Sequence, residues 1–96
     1  MKYWFVYIMA SDHNGTLYIG VTNDLSRRGN EHKAAIARSF TSKYSVNKLV
    51  YYETWDRPEE AIRREKNIKA WKRAWKIRLI ESINPHWKDL ADLLLI

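Results

Sequence analysis

Five residues carry polar or charged groups on sides of the chain that its patterning turns toward other structure: Tyr7, Tyr18, Arg28, His32 and Glu65. Their types cover three kinds of chemistry. A guanidinium fork binds two oxygens of an anion, and an imidazole exchanges a proton near neutral pH. A carboxylate is a hard oxygen ligand, and the chain has no cysteine, so any metal must sit on oxygen or histidine. Each residue also has an ordinary structural use. The tyrosines serve as amphipathic core aromatics and His32 as a hydrogen-bonded imidazole. Glu65 reaches Lys69 one helical turn on, or pairs with Arg28 as a partly buried ion pair. No single one of the five is decisive.

The elements that must position them follow from periodicity. Residues 3–9, YWFVYIM, and 16–22, TLYIGVT, are β-branched and aromatic and flank ASDHNG, so they predict a β-hairpin turning at Asn14-Gly15. Symmetric pairing about that loop sets Met9 against Thr16, Tyr7 against Tyr18 and Phe5 against Gly20. One face then carries Trp4, Val6, Ile8, Leu17, Ile19 and Val21. The other carries Tyr3, Phe5, Tyr7, Thr16, Tyr18 and Gly20. Both faces are largely apolar, which predicts a sheet covered on both sides.

Asn23 or Asp24 can cap a helix over residues 24–37, in which Leu25, Arg28, His32, Ala35 and Ile36 share the inward stripe. A polar loop containing Lys43 leads to a third strand, KLVYYET, at 48–54. From Pro58 the chain turns helical, with Ala61, Ile68, Trp71, Trp75 and Leu79 as an apolar stripe and Glu65 at its border. Lys66, Lys69, Arg73 and Lys76 form a parallel basic stripe. One helix fits, and so do two with a break at residues 70–72. Asn84-Pro85 ends this region, and HWKDLADLLLI predicts a short terminal helix capping the core. The sum is β-β-α-β-α-α: an α+β fold with a small three-stranded antiparallel sheet flanked by helices.

Composition bounds the rest. The 96 residues, 46% hydrophobic, suffice for one core, so residues 1–96 read as a single domain. No apolar run is long enough for a membrane span and no signal peptide is evident, which gives a soluble, cytoplasmic expectation with no membrane partner. The net charge of +6 favours a polyanionic partner, since phosphates neutralised by Lys and Arg release counterions. The apolar DLLLI at the end fits a protein partner or a homodimer contact.

The ordered set resembles the GIY-YIG nuclease family over nearly the whole chain. The second half-motif, Tyr18-Ile19-Gly20, is intact, while the first is Phe5-Val6-Tyr7 and keeps only its tyrosine. Leu25-x-x-Arg28-x-x-x-His32 and Ala61-x-x-x-Glu65-x-x-Ile68-Lys69 extend the match. Leu49-Val50-Tyr51-Tyr52-Glu53 and Asn84-Pro85-x-Trp87-x-Asp89-Leu90 look more specifically like the small stand-alone bacterial members, related to the catalytic domain of the excision-repair endonuclease.

That resemblance implies a metal-dependent endonuclease hydrolysing phosphodiester bonds in DNA, in repair or processing, with RNA left open as the alternative substrate. Tyr7 or Tyr18 would position or deprotonate the attacking water. Arg28 would bind the scissile phosphate, Glu65 would be the one protein ligand of Mg²⁺ or Mn²⁺, and His32 would transfer a proton at a position the repair enzymes tend to fill with tyrosine. Val21 stands where many repair members have a lysine, which leaves Arg28 alone or a residue such as Lys43 to supply positive charge. Lys43, Lys66, Lys69, Arg73 and Lys76 are the nucleic-acid-binding candidates. Gly20 reads as a clearing for the substrate backbone. The alternative is a catalytically silent nucleic-acid-binding module of the same fold.

Overall fold

A computed structural model describes residues 3–25 and 46–93. Beyond its first residues, the predicted helix over 24–37 lies outside the described residues, and so does Lys43. The elements are β1 (Trp4–Ala10), β2 (Leu17–Thr22), β3 (Lys48–Trp55), α1 (Pro58–Ala70), α2 (Arg73–Ile83) and a 3₁₀ turn over Leu90–Leu93. The strands form one antiparallel sheet in the order β2-β1-β3.

The hairpin register differs by two residues from symmetric pairing. Ala10 pairs with Leu17, so Tyr7 faces Gly20 and Met9 faces Tyr18. The turn explains the shift. Ser11 N–H donates to Thr16 O at 3.0 Å, Gly15 N–H to Asp12 O at 2.9 Å, and Asn14 takes a left-handed φ of 56°. Ala10 therefore belongs to the strand and Thr16 to the turn. A two-residue slip leaves the faces unchanged, because side chains alternate with a period of two.

Both faces are buried, as a doubly covered sheet requires. Val6, Ile8, Ala10 and Ile19 pack with Ala61 and Ile68 of α1, Ile80 of α2 and Trp87. On the opposite face Tyr7, Met9 and Leu49 pack with Leu25, Val46 and Ala91. A register shift between Ile8 and Met9 places a bulge in β3 at Val50. Two consecutive residues, Val50 and Tyr51, consequently face the α1 side.

α1 begins with Pro58 at its start and Glu59 and Glu60 in the first turn, where the missing proline N–H is harmless and acids meet the positive helix end. It stops because Trp71 and Lys72 are extended, with ψ of 154° and 148°. Of the two alternatives, the chain takes two helices. The break carries neither glycine nor proline. Trp71 instead packs against the core, with the Arg64 guanidinium 5.1 Å from its ring centre.

The C-terminal segment is tied down by side chains. Buried Asn84 donates Nδ2–H to Val50 O at 3.0 Å and Lys88 O at 2.9 Å, and accepts from Lys88 N–H. Asp89 accepts from Leu49 N–H at 3.1 Å and Ala91 N–H at 3.0 Å. Trp87 is buried with φ of 55°, and its indole N–H donates to Glu81 at 2.7 Å. A left-handed backbone at so bulky a residue ends regular helix there. In place of the predicted terminal helix, the described residues hold only the 3₁₀ turn.

Candidate active site

Tyr7 lies in the central strand and is 1% exposed; Tyr18 sits diagonally across on β2 and is half-buried. Their ring centres are 6.3 Å apart with planes tilted by 39°. The two tyrosines are thus brought together on one face, though not directly opposite each other as symmetric pairing predicts. The residue opposite Tyr7 on β2 is Gly20, and the Tyr7 ring occupies the space a side chain there would need. This corrects the reading of Gly20 as a clearing for substrate: the glycine houses the phenol. Tyr52 of β3 flanks Tyr7 on the other side and meets Phe5 edge-on at 6.3 Å.

Glu65 falls on the α1 stripe of Ala61 and Ile68, and its side chain is 15% exposed. One carboxylate oxygen lies 3.3 Å from Lys69 Nζ. α1 covers the face of Val6 and Ile8, whereas Tyr7 and Tyr18 belong to the other. Arg28 and His32 lie outside the described residues. Among the described residues no three His, Asp or Glu side chains gather as a metal-binding group.

The predicted basic stripe divides by use. Lys66 is exposed, Lys69 pairs with Glu65 and Lys76 is half-buried. Arg73 reaches back to the hairpin, where Nη2 donates to Asn14 O and Gly15 O, each at 2.6 Å.

Sequence reasoning missed a polar network on the α1 side. Glu53 accepts from Tyr51 Oη at 2.6 Å, from Trp55 Nε1 at 2.7 Å and from Arg64 Nε at 3.0 Å. Burial, and then the bond to Glu53, push the Tyr51 phenol well above its ordinary range. Burial alone would lower Arg64, but Glu53 and Tyr51 together outweigh it and raise the guanidinium further. At the hairpin, Asp12 is lowered, first by the His13 N–H bond and then by Lys48 at 3.2 Å. The signal for the larger network was an acid and an arginine set in otherwise apolar stripes of β3 and α1.

Comparison with known proteins agrees with this architecture. The GIY-YIG catalytic domain matches residues 3–78. UPF0213 proteins of Staphylococcus aureus strains Mu50 and N315 are each 35% identical to the chain over 77 residues, covering 80% of it and 93% of their own length. The UPF0213 protein BH0048 from Bacillus halodurans, solved by NMR in solution, superposes with a TM-score of 0.56 at 26% identity, covering 95% of this chain and 96% of that one. With its two motif tyrosines side by side on one face of a three-stranded sheet, the chain belongs to the GIY-YIG family of nuclease domains.

Proposed function

We propose that the protein is a metal-dependent endonuclease that hydrolyses phosphodiester bonds in DNA, in repair or processing, and that it works in the cytoplasm. The observation that carries this is the family match over residues 3–78 together with the pairing of Tyr7 and Tyr18. Among the described residues no helix is long and apolar enough to cross a membrane, which accords with that compartment.

A phosphodiester resists attack because its charge repels nucleophiles, so cleavage needs cations on the non-bridging oxygens and a water held in line with the leaving oxygen. Glu65 is a single hard-oxygen donor, and its donor chemistry fits Mg²⁺ or Mn²⁺, which accept one carboxylate and fill the remaining positions with water and phosphate oxygens. Such an ion supplies positive charge at the phosphate. Lys69, 53% exposed, is free to swing from the carboxylate as the ion arrives. Tyr7 and Tyr18 hold the attacking water, Arg28 grips the phosphate and His32 moves a proton. On this reading the ion at Glu65 and the water at the tyrosines reach one phosphate from the two faces of the sheet around the edge strand β2, and the contact of α1 with β2 supports that approach.

The test is cleavage of labelled single-stranded, duplex and branched DNAs with Mg²⁺ or Mn²⁺ by wild type, Glu65→Ala and Arg28→Ala. Cutting by wild type alone is the expected result. Unchanged cutting by either variant removes the proposal, and binding without cutting by all three favours the silent module.

A further inference from the structure

Most of the tryptophans are at least half-buried, but Trp75 on α2 is 48% exposed. The helical stripe predicted for Ala61 through Leu79 would have buried it. The extended break at Trp71 and Lys72 gives α2 its own phase and leaves this indole outside. Trp71 meets it edge-to-face, with ring centres 6.1 Å apart and planes at 77°. Arg64 lies against Trp71 from the other element, so the pair is held on a fixed base. Trp71, Trp75, Arg78, Leu79 and Ser82 line an open apolar groove along the helix.

The charged residue that lines this groove is a cation, Arg78. Lys72 and Lys76 each follow one of its two tryptophans in the chain, and the one acid of α2, Glu81, beside Arg78 and Ser82, accepts a hydrogen bond from the Trp87 indole. An exposed indole bordered by cations is the combination that stacks a base and holds the phosphates on either side of it. A second copy of the chain would bring these cations against their own images, which opposes self-association through this face. We infer that α2 carries a base-stacking site for an unpaired stretch of nucleic acid, centred on Trp75. The inference rests on the nucleic-acid substrate proposed above and adds a contact surface on the α1 side of the sheet, away from the tyrosine face.

The test is fluorescence anisotropy with a short labelled oligothymidylate and a hairpin duplex of similar charge, in EDTA at low salt, for wild type, Trp75→Ala and Trp75→Phe. Loss of one stacked base weakens single-strand binding about ten-fold in Trp75→Ala. Trp75→Phe retains most of the affinity, and duplex binding changes by less than about two-fold in either variant. Unchanged single-strand affinity in Trp75→Ala overturns the site, as does an equal loss on the duplex. So does Trp75-dependent self-association in sedimentation without oligonucleotide binding, which would assign the groove to a second copy. Trp75-dependent binding by a protein that cuts nothing keeps this site and removes the nuclease. Glu65-dependent cutting with binding indifferent to Trp75 does the reverse.

Discussion

Gly20 lies directly across the sheet from Tyr7, and a methyl group on Gly20 would stand 2.5 Å from the Tyr7 hydroxyl oxygen and 2.6 Å from Cζ. The ring is 1% exposed, so making room for that methyl group means repacking the core around it. The glycine of the motif therefore serves the tyrosine of the partner strand, as an aromatic ring laid over a glycine on the neighbouring strand.

Gly20→Ala is expected to destabilise the fold by about 1–3 kcal/mol through overpacking, read as a lower urea midpoint with an unchanged slope. Cleavage should fall with it, because Tyr7 must rotate away. A stable, fully active Gly20→Ala protein would separate the phenol from the chemistry.

If Glu65 holds the proposed ion, Lys69 competes with that ion for the carboxylate. A helical i,i+4 pair contributes about 0.2–0.5 kcal/mol, so Lys69→Ala should lower the Mg²⁺ concentration for half-maximal cleavage by about two-fold while leaving the urea midpoint nearly unchanged. A rise in that concentration would mean that Lys69 assists the ion or the phosphate instead.

Arg73 and Lys66 should part company on salt. Lys66→Ala removes a free phosphate contact and reduces the salt dependence of DNA binding by about one unit of slope. Arg73→Ala releases the hairpin carbonyls and costs about 1 kcal/mol of stability with little change in slope. Equal slope changes in the two variants would return Arg73 to the nucleic-acid surface.

Tyr51 makes the fold sensitive to alkali. Its folded-state proton is held more tightly than the ordinary phenol proton at 10.0, by burial first and by Glu53 second. A raised value means that its contribution is complete below pH 10.0 and is lost as pH rises from there toward the folded-state value. Stability measured from about pH 9 to about pH 11 should fall less steeply in Tyr51→Phe than in wild type. Parallel curves would assign the alkaline loss to another group.

The strands, the doubly covered sheet and the shared face of Tyr7 and Tyr18 were legible because a period of two survives a two-residue slip. The register itself was not, since it depends on where the strands end: the Ser11–Thr16 bond puts Ala10 in the strand and Thr16 in the turn. The end of α1 was legible only as one of two alternatives, because residues 70–72 contain no glycine or proline and the break goes with the packing of Trp71 under Arg64. The bulge at Val50 hid the Glu53 network by placing neighbours on the same side. Of the candidate site, the shared face of the tyrosines and the place of Glu65 on the α1 stripe followed from periodicity, while their roles came only from the family resemblance. The occupation of Arg73 by the hairpin could not be read from the sequence, because its partners are backbone carbonyls far away in the chain.

The family match ends at residue 78, yet Asn84 and Asp89 bond to the β3 backbone at Val50 and Leu49. β3 is an outer strand, and those are main-chain groups that a strand from another molecule would otherwise seek. The stretch beyond the matched domain is thus a guard on the sheet, occupying with two side chains the positions where intermolecular strand addition would begin. Cutting the chain after α2 would open a template for aggregation while leaving every proposed active-site residue in the chain.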